Sequence, residues 1–245
     1  MIMRKVVAGN WKMHHGPRAT ADFFARFRPE TDPKSVRLIF FVAGLSLHAV
    51  KANAQVPVGL GVQNIHWEPS GALTGETSAE MALEAGASYA LVGHSERRHV
   101  FGETDAEVGR KVGAAVRAGL VPVVCVGELL EERREGRLAE VLRRQISAFV
   151  PNLRGCGEFM VAYEPVWAIG TGETATPEDA STAHGIVREA LGELGSAPIL
   201  YGGSVKPGNA AELMSAPDVD GVLVGGASLD PEVFARIAAA GTSPG

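Results

Sequence analysis

Three side chains in this sequence, Lys12, His94 and Glu164, have the chemistry of an acid–base site, and each follows a short apolar run. A carboxylate, a neutral imidazole and an ammonium group brought together suit the removal of a proton from a carbon beside a carbonyl. The carboxylate takes the proton, and the other two groups stabilise the enediolate that forms. The sequence therefore predicts proton-transfer chemistry if the three residues meet.

The neighbours of two of these residues strengthen the prediction. Glu164 lies between Tyr163 and Pro165 in an apolar stretch, where desolvation would raise the pKa of the carboxyl and make it a usable base. His94 directly precedes Ser95, the predicted start of a short helix whose N–H groups would disfavour a charged imidazole. Considered singly, His94 could be a structural histidine, so the hypothesis depends on the set.

Two glycine pairs near the end of the chain indicate an anion site. Gly202-Gly203 precedes Ser204, and Gly225-Gly226 follows another apolar run. Glycine pairs expose successive backbone N–H groups, as a phosphate-binding nest requires. Either pair alone could simply permit a tight turn, but the two together favour a bound phosphate.

The segment 170–175 (GTGETA) fits the G-x-G-x-x-A pattern of dinucleotide-binding proteins. In that fingerprint the glycines join a strand directly to a helix, whereas here the strand should end near Tyr163 and the helix should begin near Pro177. Glycines between flanking prolines are typical of a mobile lid. The chain also lacks zinc, calcium and Walker motifs, so we predict neither a metal nor a cofactor. The charge run 128–144 is predicted to be a solvated helix face with i,i+4 pairs.

Composition places the chain among ordinary globular proteins. It has 245 residues, 46% hydrophobic and 21% charged, and a net charge of -5. A chain this acidic has no basic footprint for nucleic acid, and its apolar runs are too short for a membrane helix or a signal peptide. Its two cysteines, Cys125 and Cys156, fit free thiols in a reducing compartment. We expect a cytoplasmic protein with one domain over residues 1–245.

Eight short apolar runs alternate with helical segments along the chain. Helical periodicity appears in 108–115 and 138–149, and Asp230 before Pro231 is a helix-start signal. Runs that are apolar on both faces are typical of parallel strands covered by helices. This pattern favours a (β/α)8 barrel of the α/β class over an open doubly wound sheet, which is the alternative. The predicted strands are Lys5–Ala8, Val36–Val42, Val58–Gln63, Tyr89–Val92, Val121–Val126, Met160–Tyr163, Ile199–Tyr201 and Gly221–Val224.

A barrel of this kind would bring the candidate residues to one place. Catalytic groups gather at the carboxyl ends of the strands, and phosphate commonly binds the loops after strands 7 and 8. The residues with acid–base chemistry and both glycine pairs follow predicted strands, so all should face the same mouth. Lys12 is the only lysine that the sequence predicts at this mouth.

Five motifs then carry a resemblance to a known family. They are 9–12 (GNWK), 92–98 (VGHSERR), 162–172 (AYEPVWAIGTG), 201–205 (YGGSV) and 225–229 (GGASL). In these motifs, with the same order and spacing over essentially its full length, the chain resembles the triosephosphate isomerases. The resemblance implies a TIM barrel and a cofactor-free interconversion of dihydroxyacetone phosphate and D-glyceraldehyde 3-phosphate, a step of glycolysis and gluconeogenesis.

The resemblance also implies roles for individual residues. Glu164 would shuttle the proton between two carbons, with His94 as the electrophile, and substrate oxygens would contact Asn10 and Lys12. Glu96 would contact the catalytic residues without touching the substrate. The phosphate would rest on the N–H groups of Gly170, Ser204, Gly225 and Gly226. A lid over 165–176, including Pro165 and Thr171, would close against Tyr201 and Ser204.

A homodimer is a further implication of the resemblance. The segment 66–77 resembles the family's loop that docks into a second subunit, and so long a loop in a compact domain needs such a reason. Thr74 would lie near Glu96 of the partner subunit, with Gln63 and Met13 helping to line the interface. The chain departs from the family pattern at 14–15, 43–44 and Leu73, all of which bear on this interface.

Two other functions fit parts of the pattern. One is a barrel isomerase that acts on a larger sugar phosphate, against which the short lid and the scarcity of further polar groups argue. The other is a barrel kept as a binding module, which would hold a phosphorylated ligand without turning it over. The complete set of Lys12, His94 and Glu164 favours an enzyme.

Overall fold

The computed structural model describes residues 4–168 and 175–242. Within these residues the strands are all parallel, and they close into a barrel in chain order, with β8 pairing with β1. The predicted TIM barrel is confirmed, and closure excludes the open sheet. The strands are β1 Lys5–Asn10, β2 Val36–Val42, β3 Gly59–Val62, β4 Tyr89–Val92, β5 Val121–Val126, β6 Met160–Tyr163, β7 Ile199–Tyr201 and β8 Gly221–Val224.

Helices surround the barrel and follow its strands. The turns after β6 and β8 include short 3₁₀ helices, Val166–Ala168 and Gly226–Ser228. The α-helices are α1 Pro17–Arg26, α2 Leu47–Asn53, α3 Ala79–Glu84, α4 Ser95–His99, α5 Asp105–Ala118, α6 Leu130–Arg134, α7 Leu138–Phe149, α8 Pro177–Leu191, α9 Ala210–Ser215 and α10 Pro231–Ala240. None of the helices that the structure describes is long and apolar enough to cross a membrane.

The strands divide their apolar side chains between two cores. On β1, Val6 and Ala8 belong to the smaller core, and Val7 between them belongs to the larger one. Successive side chains of a strand point to opposite faces, so the smaller core fills the barrel and the larger one lies beneath the helices. Both faces are thus buried, as the apolar runs predicted.

Side-chain caps set where several helices begin. Thr104 and Glu107 form a reciprocal capping box at the start of α5. Asp230 accepts hydrogen bonds from two backbone N–H groups at the start of α10, with Pro231 in the first position, as the sequence predicted. These caps hold the loops at the carboxyl ends of the strands, since each helix begins at that end of the barrel.

The prediction for the charge run 128–144 is wrong in two respects. The segment is divided into α6 and α7 by residues 135–137, and Glu128 is 0% exposed. Its arginines also reach beyond the run: Arg133 pairs with Asp179 at 2.5 Å and Arg144 with Asp105 at 2.6 Å. Glu128 comes directly after the buried strand β5 and Gly127, and this position draws it into the interior.

A buried histidine on α8 makes the stability of the fold depend on pH. Nδ1 of His184 lies 2.9 Å from the Asp218 carbonyl oxygen, and burial lowers the pKa of His184 to about 4. An unfolded histidine has a pKa of about 6.5, so the unfolded chain binds this proton first as the pH falls. We expect the free energy of unfolding to decrease by about 3 kcal/mol between pH 6.5 and pH 4 from this residue.

Urea unfolding at several pH values checks this expectation against His184→Gln, which keeps a donor for the Asp218 carbonyl and does not titrate. The difference in free energy between wild type and variant should change with pH below 6.5 and be constant above it. A constant difference over the whole range would contradict the account.

Candidate active site

A cavity of about 330 Å³ opens at the carboxyl ends of the strands, and the predicted site residues converge on it. Gly170 and Thr171 lie outside the described residues, as does half of the predicted lid, residues 169–174. The described residues that line the cavity are Asn10, Lys12, His94, Glu164, Ala168, Gly202, Gly203, Ser204, Val205, Lys206, Leu223, Gly225, Gly226 and Ala227.

Lys12 has an unusual backbone conformation for a residue other than glycine. Its φ angle is +51°, in the left-handed region. Two hydrogen bonds hold it there: its N–H donates to Asn10 Oδ1 at 3.1 Å, and its carbonyl accepts from Gln63 Nε2 at 2.8 Å. Strain of this kind persists only where the surroundings enforce it, and it is concentrated at functional sites. Lys12 Nζ then lies 2.6 Å from Glu96 Oε1, at the edge of the cavity.

Gln63 has a role within the chain that sequence reasoning missed. Its Nε2 also lies 3.2 Å from Asn10 Oδ1 and 3.1 Å from the Phe41 carbonyl oxygen. It therefore joins the ends of β1 and β2 beneath Lys12. No local pattern signals this contact, because the partners are 22 to 53 residues away.

His94 is the N-cap residue of α4. Its Nδ1 accepts the Glu96 N–H at 3.2 Å, and its Nε2 lies 2.8 Å from Glu164 Oε1. Burial lowers the pKa of His94, but the nearby Glu164 carboxylate favours the charged form and raises it above its ordinary value. The Glu96 N–H opposes protonation, since it needs a lone pair on Nδ1. With Nδ1 accepting the Glu96 N–H, the ring proton lies on Nε2 and faces Glu164.

Glu164 lies at the end of β6 and is 2% exposed. Its Oε2 accepts the Ser95 N–H at 2.8 Å, while Oε1 contacts His94. The sequence predicted that desolvation would raise the pKa of this carboxyl, and that prediction is wrong. Burial does act in that direction, but His94, the Ser95 N–H and Lys12 together hold the pKa of Glu164 below its ordinary value.

Both glycine pairs line the same cavity. Gly225 directly follows β8, and Gly226 begins the 3₁₀ helix that comes next. A side chain at Gly203 would force Tyr201 to move, because a Cβ there would lie 2.2 Å from the Tyr201 hydroxyl. Lys206 also lines the cavity, so the prediction that only one lysine lies at this mouth is wrong. No sequence pattern indicates Lys206, which follows the Gly-Gly-Ser turn by two residues.

Tyr201 lies under the described ends of the predicted lid. Its hydroxyl is buried, and it neither donates nor accepts a hydrogen bond among the residues that the structure describes. Burial raises the pKa of Tyr201 to about 12; the Ala175 N–H is near enough to oppose this, without the geometry of a hydrogen bond. Pro165 is also buried, and its ring lies so near Gly203 that a Cβ at that glycine would be only 3.0 Å from it. The first turn of the lid therefore packs on the loop after β7.

Glu128 is a further site residue that the sequence did not reveal. Its Oε1 accepts hydrogen bonds from Trp167 Nε1 at 2.8 Å and from the Tyr163 hydroxyl at 3.1 Å. Burial raises the pKa of the Glu128 carboxyl. The Arg133 guanidinium stacks 4.4 Å from the centre of the Trp167 ring. These contacts tie the first turn of the lid to the loop after β5, on the far side of Glu164.

Among residues 4–168 and 175–242, no group of three or more His, Cys, Asp or Glu side chains is placed to hold a metal ion.

A carboxylate, an imidazole and an ammonium beside a glycine-rich backbone cradle, at the mouth of this barrel, define a barrel isomerase for a small phosphorylated carbonyl compound. The family model for triosephosphate isomerase matches residues 5–241. The chain belongs to the triosephosphate isomerase family, as the sequence motifs predicted.

Relatives of full length agree with this assignment. The chain is 47% identical to the triosephosphate isomerase of Solibacter usitatus, over 96% of this chain and 99% of that protein. It is 44% identical to that of Bdellovibrio bacteriovorus, with the same shares covered, and 46% identical to that of Symbiobacterium thermophilum, over 96% of each chain.

Proposed function

We propose that Glu164 carries the proton, and that His94 and Lys12 stabilise the enediolate, when this chain interconverts dihydroxyacetone phosphate and D-glyceraldehyde 3-phosphate. That interconversion is the activity of the chain as a member of its family. The observation that carries the roles is the contact of 2.8 Å between Glu164 Oε1 and His94 Nε2, inside the same cavity that Lys12 lines.

The proton transfer begins at Glu164. Because its pKa is lowered, the carboxylate is ionised at neutral pH and can accept a proton. Both carboxylate oxygens are engaged here, with His94 and with the Ser95 N–H, so substrate must replace these partners. The pair of electrons from the broken C–H bond forms the C=C bond of the enediolate. The carbonyl π electrons move onto the carbonyl oxygen at the same time. The same carboxyl group then protonates the neighbouring carbon, the hydroxyl proton passes from the oxygen of the first carbon to the former carbonyl oxygen, and a new carbonyl forms on the first carbon, which completes the isomerisation.

Charge on the enediolate oxygens is stabilised by the groups opposite the base. The neutral tautomer of His94 presents an N–H at Nε2, which donates to these oxygens once Glu164 has moved. The Lys12 ammonium contributes a positive charge, and Asn10, 4% exposed, places its side chain between Lys12 and Gln63. Fixed donors in a site of low water content stabilise developing charge strongly.

The phosphate group is proposed to bind backbone N–H groups of Ser204, Gly225 and Gly226, with Gly170 as a further donor outside the described residues. All three described residues line the cavity. Its volume of about 330 Å³ lies at the small end of the range for ligand pockets, which supports a triose over a larger sugar phosphate. The lid over 165–176, with Thr171, is proposed to cover the bound substrate and to satisfy the Tyr201 hydroxyl.

An isomerisation assay in D₂O tests these roles together. We expect turnover of D-glyceraldehyde 3-phosphate, deuterium from solvent on carbon in the product, and no turnover of a five-carbon aldose phosphate. A product without deuterium on carbon would contradict the proposal that the proton is held on the Glu164 carboxyl group, where it can exchange with solvent. Binding of the triose phosphate without turnover would favour the binding-module alternative.

We also propose that the chain is a homodimer. Residues 68–76 form a projection in which every residue is exposed, and its base is closed by a hydrogen bond of 2.8 Å from the His66 N–H to the Thr77 carbonyl. Met13 is 94% exposed and Phe101 is 67% exposed, and both line a second cavity of about 220 Å³ beside Glu96. Exposed apolar side chains around a cavity are typical of a protein interface.

Disruption of this interface should lower activity, because two of its residues adjoin Lys12. Met13 directly follows Lys12 in the chain, and Glu96 forms an ion pair with Lys12. We expect Thr74→Arg, at the tip of the projection, to sediment as a monomer at micromolar concentration and to lose most of its kcat. Lys34→Glu, an exposed charge change at the opposite end of the barrel, should leave both properties unchanged. A fully active monomer in either form would contradict the proposal.

Residues 1–245 are proposed to form a single domain. The pairing of β1 with β8 joins the two ends of the chain in one sheet, so neither half could close a barrel alone. The cytoplasmic location remains a proposal from the sequence.

A further inference from the structure

Gln145 on α7 makes an unusual pair of hydrogen bonds with a single residue. Its Oε1 accepts the Gly127 N–H at 2.8 Å, and its Nε2 donates to the Gly127 carbonyl at 3.0 Å. The Gln145 side chain is buried, with the residue 4% exposed. One side-chain amide therefore satisfies both backbone groups of Gly127, as a neighbouring strand would.

Gly127 needs such a partner because it lies just beyond the sheet. Strand β5 ends at Val126, which is also the last residue of the register with β6, opposite Tyr163. A buried backbone N–H or carbonyl without a partner costs free energy comparable to a lost hydrogen bond. The ladder does not extend to Gly127, and Gln145 replaces it.

The position of Gly127 matters because the backbone of Glu164 rests on it. A Cβ at Gly127 would lie 1.8 Å from the Glu164 carbonyl oxygen and 2.8 Å from its carbonyl carbon. The Glu164 N–H donates to the Val126 carbonyl at 2.8 Å. Both sides of the Glu164 peptide thus depend on where residues 126 and 127 lie.

The other flank of Glu164 is equally close. The Gly202 N–H donates to the Tyr163 carbonyl at 2.7 Å, and a Cβ at Gly202 would lie 2.9 Å from Glu164 Cγ. The base is therefore held between two glycine backbones. Gly202 is fixed by the strand β7 that precedes it, whereas Gly127 is fixed by a side chain from a helix.

We propose that Gln145 is a positioning residue for Glu164: by fixing Gly127 it sets where the carboxylate can reach. This inference rests on the proposed role of Glu164 as the base. Gln145 does not line the cavity, and its side-chain amide hydrogen-bonds to the backbone of Gly127. Its effect on Glu164 is therefore transmitted through the backbone. A displacement of about 1 Å at a reacting group can cost up to about 100-fold in rate, while phosphate binding across the cavity is unaffected.

Gln145→Met is the first test, since it keeps the length of the side chain and removes the amide. We expect kcat to fall at least about tenfold, with the KM for D-glyceraldehyde 3-phosphate and the inhibition constant of inorganic phosphate within about twofold of wild type. Leu142→Ala is the matched control, because Leu142 is buried on the same helix and its hydrocarbon side chain cannot hydrogen-bond to Gly127. It should lower stability to a similar degree without changing kcat.

Gln145→Glu supplies a readout that a merely structural role would not move. A protonated carboxyl offers one donor and one acceptor, as the amide does, and burial favours that form. We expect this variant to keep most of kcat at low pH and to lose it as the carboxyl ionises, in a step absent from the wild-type profile. If Gln145→Met is too unstable to assay, this profile decides the question.

The proposal fails if Gln145→Met retains wild-type kcat, or if the profile of Gln145→Glu shows no added step. It also fails if kcat in Leu142→Ala falls as far as in Gln145→Met. The base assignment fails separately, if Glu164→Gln remains active. An inactive Glu164→Gln beside a normal Gln145→Met would overturn only the positioning role.

Discussion

Glu164→Gln is expected to lower kcat by about 10³-fold to 10⁴-fold, with little change in KM, because general base catalysis contributes up to about 10⁴-fold. Glutamine has the shape of glutamate and can still accept the Ser95 N–H through its carbonyl oxygen, so the pocket should be preserved. Its amide cannot accept a proton from carbon. A coupled assay on D-glyceraldehyde 3-phosphate measures the effect directly.

Glu164→Asp separates basicity from position. Aspartate is still a carboxylate, but it is withdrawn by roughly 1 Å, which should lower kcat by about 10²-fold while phosphate binding stays nearly unchanged. The expected order of kcat is therefore wild type, then Glu164→Asp, then Glu164→Gln. An active Glu164→Gln enzyme would refute the base assignment.

Lys12→Met is expected to have the second largest effect, a loss of about 10²-fold in kcat together with a raised KM. The Lys12 ammonium is held at the cavity by a strained backbone and by Glu96, so its charge is fixed in place before substrate arrives. A preorganised charge of this kind acts on the enediolate as well as on the bound phosphate compound. Steady-state kinetics on both triose phosphates would measure both effects.

Lys206→Met provides the matched comparison, since both lysines line the same cavity and the substitution removes the same charge. Lys206 is exposed and has an ordinary backbone, so we expect a change of a few fold, mainly in KM, that weakens further at high salt. Equal losses in the two variants would mean that only the net charge of the mouth matters, and Lys12 would have no special role.

Much of the barrel could be predicted because its strands are buried on both faces. The run Val121–Val126 is apolar throughout, and the structure places β5 at the same residues. The first strand extends past its predicted end to Asn10, which pairs with Phe41 of β2. A polar residue at a strand end gives no apolar signal, although the sheet continues through it.

The three acid–base residues of the candidate site could be predicted from the sequence, whereas the direction of their pKa shifts could not. Short motifs contain Lys12, His94 and Glu164, and strand ends bring them together. The direction of the pKa shift at Glu164 depends on the Ser95 N–H, 69 residues away, and on the ring of His94. Neither contact can be derived from the sequence near Glu164 alone.

Residues that support the site from other elements were the hardest to predict. Glu128 stands at the start of a strongly charged run, and its burial follows from contacts with Tyr163 and Trp167 on the next strand and its loop. Gln145 has the appearance of a polar helix residue, and only the position of Gly127 shows what its amide does. Such roles arise from packing between β5, α7 and β6.

A crystal structure with a phosphorylated two-carbon carboxylate, a small mimic of the enediolate, would test the central claim most directly. The account predicts that its phosphate lies on the backbone N–H groups of Ser204, Gly225 and Gly226, with its carboxylate between Lys12, His94 and Glu164. A ligand bound elsewhere, or one whose carbons lie beyond the reach of the Glu164 carboxylate, would contradict it.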